Sequence, residues 1–211
     1  MQTKDHLALG HYLLNKTHDA GLHRHARAFL LGCVEPDYNQ LSYLRGFKGH
    51  RKFRGHNAEN SFAHVSKCMG EFQRDGLRAA WDYFTLGTML HYAADAFTAP
   101  HNAFWSAGLI AHAAYEGKLH GVFADELKRR YAASYAAASA SPLELFKNTH
   151  QQYIASSKNM KTDCRFIIET CEAMLLGSLQ WATPVIEEDN EIEGEIIYEG
   201  AYHHGLVQAG H

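Results

Sequence analysis

Apolar residues recur every three or four positions along most of the chain, the spacing of one face of a helix, and only four prolines interrupt them. The pattern predicts an all-α protein with helices over about 6–17 and 22–32, the second ending in the turn-like GCVEPDYN. A polar, basic stretch over 38–55 has no period and reads as a loop; helical spacing resumes over about 57–73, 76–98, 108–136, 142–157 and 161–184. The run AAWDYFTLGTMLHYAADAF is apolar nearly all round, as a helix buried at the centre of a bundle is, and Pro100 stops it. Ser141 followed by Pro142 opens the next-to-last helix. No internal repeat is visible.

The length of 211 residues suits one domain with a single core. Residues 1–185 read as that helical domain. The acidic, glycine-containing stretch 186–211 reads as a tail that either belongs to the same domain or is flexible. Its His203 and His204 are of the kind that solvent usually takes.

Charge narrows the function classes. Twenty Lys and Arg against 23 Asp and Glu give a formal charge of -3, which offers no global basic field for non-specific nucleic-acid binding. Cys33, Cys68, Cys164 and Cys171 form no CxxC pair and lie in apolar segments, so they read as buried thiols. No stretch approaches the roughly 20 apolar residues that span a bilayer, and MQTKDHLALGHYLL lacks a signal-peptide core. The expectation is a cytoplasmic protein, or a secreted one if a signal segment has been removed.

Sixteen histidines change the picture, because several stand in helical register with carboxylates. In HYAADAFTAPH, His91 and Asp95 lie four residues apart on one helix face, and His101 follows a proline-enforced turn. Further on, HAAYE repeats the spacing with His112 and Glu116. A single such pair is ordinarily a surface hydrogen bond. Asp95, however, lies in a segment too apolar to expose, where an ionised carboxylate without a cation would cost several kcal/mol. Zinc takes three or four nitrogen and oxygen ligands of this kind and, in catalytic sites, keeps a position open for water.

The order His, Asp, His, His, Glu, the LHY lead-in at Leu90, His91 and Tyr92, and the Pro-His pair at 100 and 101 carry a resemblance. From about residue 6 to about 120 the chain resembles the zinc-dependent bacterial phospholipases C, the related fungal single-strand-specific nucleases and the amino-terminal domain of glycosylphosphatidylinositol-specific phospholipase D. The resemblance implies a multi-helix bundle around a buried cluster of three zinc ions. His101, His112 and Glu116 would hold one ion; His91 and Asp95 would serve a close pair, with Asp95 bridging. Asp37, in the loop after the second helix, would complete one member of that pair with His56, or with His50 as the second choice. Secreted relatives complete the remaining ion with their mature terminal residue. Met1 does not match that residue, and DHLALGH suggests His6 and His11 in its place.

The implied activity is a zinc-dependent phosphoric ester hydrolase in which metal-activated hydroxide attacks a phosphodiester, with Asp37 as general base. Its substrate would be a phospholipid, with peripheral membrane contact as an option, or a smaller phosphodiester. In FKGHRKFRGH, Lys48, Arg51, Lys52 and Arg54 could receive an anionic group or stay a solvated loop; Phe104 and Trp105 could line the pocket or pack in the core. The alternatives are a single-strand nuclease or 3′-nucleotidase on the same scaffold, disfavoured by the short basic track, and a non-catalytic zinc-binding module.

Overall fold

The computed structural model describes residues 1–39, 57–130 and 141–182. These described residues form eight α-helices and no strand: α1 (Thr3–Leu14), α2 (Ala20–Arg24), α3 (Ala26–Tyr38), α4 (Ala58–Asp75), α5 (Ala80–Ala96), α6 (Leu109–Arg130), α7 (Pro142–Ala155) and α8 (Met160–Trp181). A 3-10 turn, Ala99–His101, joins α5 to the segment before α6. The all-α expectation holds.

Helix starts follow local chemistry. Asp19, Asn57, Ser141 and Asn159 each accept a hydrogen bond from the third residue onward, at 2.6, 2.9, 3.3 and 2.9 Å, stabilising its helix by about 1 kcal/mol. Ser141 with Pro142 behind it opens α7 as the sequence predicts.

α5 is the central helix. Every residue from Leu86 to Ala96 is buried, with α3, α4 and α8 packed around it. The approach to α3 is backbone to backbone: a Cβ on Gly32 would stand 2.0 Å from the Phe84 carbonyl oxygen, and one on Gly87 would stand 2.2 Å from that of Phe29. Only hydrogen side chains allow that crossing. At the end of α5, Phe97 is fully buried among Phe146, Tyr153 and Phe166, with ring centroids 5.8, 5.5 and 5.9 Å away. Burying such a ring is worth roughly 2–3 kcal/mol, which pins the point where the chain leaves α5 for the Pro100 turn.

Two boundaries differ from the sequence expectation. The helix expected over 22–32 is divided at His25 and then runs to Tyr38, so Glu35, Pro36 and Asp37 are helical and not a loop. Proline usually ends a helix. Here Asn39 continues the ladder instead, its N–H donating to the Glu35 carbonyl at 2.9 Å and its side-chain amide to the Glu35 carboxylate at 2.7 Å. Residues 40–56, with Lys48, His50, Arg51, Lys52, Arg54 and His56, lie outside the described residues, as do residues 186–211 with His203 and His204. Among the described residues all four cysteines are buried thiols outside any disulfide, and no helix is long and apolar enough to cross a membrane.

Candidate metal centre

One turn of α5 separates His91 from Asp95, and both are 1 % exposed. α1 brings His6, equally buried, onto His91: the two imidazoles stack with centroids 3.8 Å apart and planes 20° from parallel. Asp95 faces both rings, its Oδ1 lying 3.2 Å from His6 Nε2 and its Oδ2 3.5 Å from His91 Nε2. From the last turn of α3, Asp37 Oδ1 comes to 3.7 Å from His91 Nε2.

A second group lies against the first. His101, His112 and Glu116 present donor atoms within 4.8 Å of one another, as His6, His91 and Asp95 do. His112 Nε2 meets Glu116 Oε1 at 3.0 Å across one turn of α6, and the His101 ring stands edge-on to His112. His101 Nδ1 is 3.9 Å from Asp95 Oδ1, so Asp95 touches both groups. The Met1 ammonium fills the space between them, 2.8 Å from Asp95 and 3.2 Å from Glu116.

The neighbours orient these side chains. A carbonyl only accepts, so the 2.9 Å contact of His91 Nδ1 with the Cys33 carbonyl places hydrogen on Nδ1, and the neutral ring would then offer its lone pair from Nε2, the nitrogen that faces Asp95 and Asp37. Thr98 does the same for His101. Its hydroxyl donates to the Asp95 carbonyl at 2.8 Å, so its oxygen accepts from His101 Nδ1 at 2.6 Å. Asn102 braces the turn from behind, donating to the Ala96 and Thr98 carbonyls and accepting from His150 Nε2 of α7 at 2.9 Å. On the far side, Asp5 ties α1 to α6: its carboxylate accepts from His120 Nδ1 and, at 3.3 Å, from the Gln2 N–H.

The electrostatics are those of a site built for cations. Burial, reinforced by His91, pulls the His6 pKa down to about 3, so its ring is neutral. Neither of its nitrogens makes a hydrogen bond, and its approach to Asp95 lacks hydrogen-bond alignment. A buried polar group left so costs about 1–3 kcal/mol, which a cation accepting the lone pair would remove. Burial also raises the Asp37 pKa, and its Oδ2 is a second buried atom without a hydrogen-bond partner. Glu116 resists its burial: the His112 hydrogen bond and the terminal ammonium hold it down at about 2. Burial depresses the ammonium itself, but Asp95 and Glu116 outweigh it and raise the pKa to about 10. Imidazole nitrogens beside carboxylate oxygens are the donor set zinc takes.

Of the residues singled out from the sequence, the fold gathers His6, Asp37, His91, Asp95, His101, His112 and Glu116. It does not gather His11, which is exposed on α1. Five residues along a helix amount to roughly 140° of rotation, so His6 and His11 cannot share a face. Phe104 is 42 % exposed beneath the Lys158 ammonium, whereas Trp105 packs inward against the core and Tyr115. Sequence reasoning set Met1 aside, whereas its ammonium lies against Asp95 and Glu116, and it missed Thr98, Asn102, His150 and the Asp5–His120 pair. Only His120 had a legible signal, since it extends the stripe of His112 and Glu116 by one more turn. A cavity of about 430 Å³ opens between α1 and α3, lined by Gln2, Thr3, Lys4, Leu7, Val34 and Tyr38.

Comparison with curated proteins and with solved structures finds no match. Residues 5–174, which hold both His–carboxylate groups and Asp37, match the model of one family, zinc-dependent phospholipase C. The chain therefore belongs to the zinc-dependent phospholipase C family, a family of phospholipase-type hydrolases.

Proposed function

We propose that this protein is a phosphodiesterase of phospholipase C type, hydrolysing a phospholipid or a smaller phosphodiester with zinc held by the two His–carboxylate groups. The observation that carries this reading is the His6–His91–Asp95 stack, in which a buried, neutral imidazole has no hydrogen-bond partner and faces a buried carboxylate. Zinc bound there would supply Lewis acidity, lowering the pKa of water and offsetting the charge that builds on phosphoryl oxygens.

The chain's own residues divide the remaining work. His6, His91 and Asp95 would hold one position, and His101, His112 and Glu116 a second, with Asp95 serving both sides. Asp37 would join His91 at a third, completed by His56 or, failing that, His50, as the family resemblance implies. Asp37 is also the candidate general base: it reaches the group with one oxygen and leaves the other without a hydrogen bond.

The test is to purify the protein without chelators and assay it on phosphatidylcholine, a chromogenic phosphocholine diester, single-stranded DNA and a nucleoside 3′-monophosphate. Turnover of either diester, abolished by Asp95→Asn, supports the proposal. Cleavage of nucleic acid alone would assign the chain to nuclease chemistry, and no turnover by the zinc-loaded protein would leave a non-catalytic zinc module.

A further inference from the structure

Among the described residues the two most exposed large apolar side chains are neighbours: Leu109 at 86 % and Ile110 at 89 %, in the first turn of α6. They stand in the connection that runs from His101 to His112, which also carries the half-exposed Phe104. Exposed Ile154, at the end of α7, lies near Phe104, because Lys158 both covers the Phe104 ring at 5.0 Å and donates to the Ile154 carbonyl at 2.7 Å. Leu109 lies seven residues before Glu116, two turns along the same helix stripe and roughly 10 Å farther out. Leu109 and the metal-group residues of α6 thus share one helix face, and Ile110, roughly 100° farther round, extends the exposed end of that helix to the side.

Size and charge indicate what covers the lip. Four side chains offer at most a few hundred Å², well below the roughly 800 Å² per partner of a stable protein interface, so a second copy of this chain fits poorly. A fluid lipid layer needs no such matching area, because it moulds around each side chain. Charge is not the attraction: the Lys158 ammonium already donates to the carbonyls of Tyr153, Ile154 and Ser156.

We propose that Leu109 and Ile110 form a membrane-docking lip, dipping into the interface of a zwitterionic phospholipid layer so that the two metal groups stand at headgroup height. The phospholipid as substrate rests on the function proposed above; the docking does not need turnover in order to be measured.

The zinc-loaded full chain is floated with phosphatidylcholine vesicles at about 0.1 M and about 1 M salt, conditions that span strong screening. The wild type is expected to bind equally at both, and the double variant L109S/I110S to bind roughly ten- to a hundredfold more weakly, by the apolar area it no longer buries. Hydrolysis of a short-chain soluble diester is expected to be unchanged in that variant while vesicle hydrolysis falls. Vesicle binding unaffected by the double substitution, binding lost at high salt, or a change of oligomeric state in place of vesicle affinity would each overturn the docking. Should no diester be hydrolysed at all, flotation still decides the lip, while the functional reading alone fails.

Discussion

His91 of α5 donates its Nδ1 hydrogen to the Cys33 carbonyl of α3 at 2.9 Å, and the bond exists because Gly32 and Gly87 let the two backbones touch. The crossing that builds the core therefore also sets which His91 nitrogen faces Asp95. Alanine at either glycine would put a methyl about 2 Å from a carbonyl oxygen that cannot move without parting the helices. Gly32→Ala and Gly87→Ala are expected to destabilise the fold by about 3 kcal/mol or more and to weaken zinc binding together, as read by urea unfolding and zinc titration. Wild-type stability in both would show that the helices have room to part.

The two metal groups are expected to separate by mutation. Glu116→Gln and His112→Ala remove ligands from the second group alone, so about one zinc per chain should be lost while the first group stays filled. Asp95→Asn touches both sides and should lower occupancy throughout. Elemental analysis of the purified variants distinguishes the cases; identical losses for Glu116→Gln and Asp95→Asn would contradict two separable groups.

The Thr98 side chain acts on the His101 ring through its hydroxyl oxygen. Thr98→Val keeps the shape and removes that acceptor, and a drop of about 10–100-fold in zinc affinity at the second group is expected. Isothermal titration calorimetry reads it, and unchanged affinity would mean that packing alone orients the ring.

Removing His120 should loosen α1 from α6. His120→Ala leaves the Asp5 carboxylate buried with one backbone N–H, at a cost of about 1–3 kcal/mol in stability. Adding Asp5→Ala should cost less than the separate effects summed, as double-mutant denaturation would show.

Stability should fall with acid through His150. Burial lowers its pKa from 6.5 to about 4 in the folded protein. Between those values the unfolded chain binds a proton that the folded one refuses, so stability is complete above about 6.5, is lost as pH falls towards 4, and levels off below. The loss is on the order of 2 kcal/mol. His150→Gln can keep the donor to Asn102 and does not titrate, so the difference in stability between wild type and variant should change over that window. A difference that does not vary with pH would exclude His150 as its source.

The helical order is legible in the sequence because core-facing positions keep their spacing, and the register of His91, Asp95, His112 and Glu116 is legible for the same reason. Asp37 reads as a loop residue because Pro36 is a usual stop, and the Asn39 bonds that carry α3 past it involve a side chain with no periodic signal. His11 fails as a ligand on geometry that the sequence already contains, since one helix through both residues sets it on another face from His6. The Cys33 carbonyl cannot be read at all, because a backbone acceptor has no residue signature, and Thr98 and Asn102 act through a turn whose path depends on the tertiary packing of Phe97 as well as on Pro100.

Zinc titration of the metal-free protein, followed by ion counting and phosphodiester hydrolysis at each step, tests the central claim most directly. The account predicts at least two tightly held ions per chain, with hydrolysis appearing as both His–carboxylate groups fill. One ion or none at saturation, or full occupancy without hydrolysis of any phosphodiester, would contradict it.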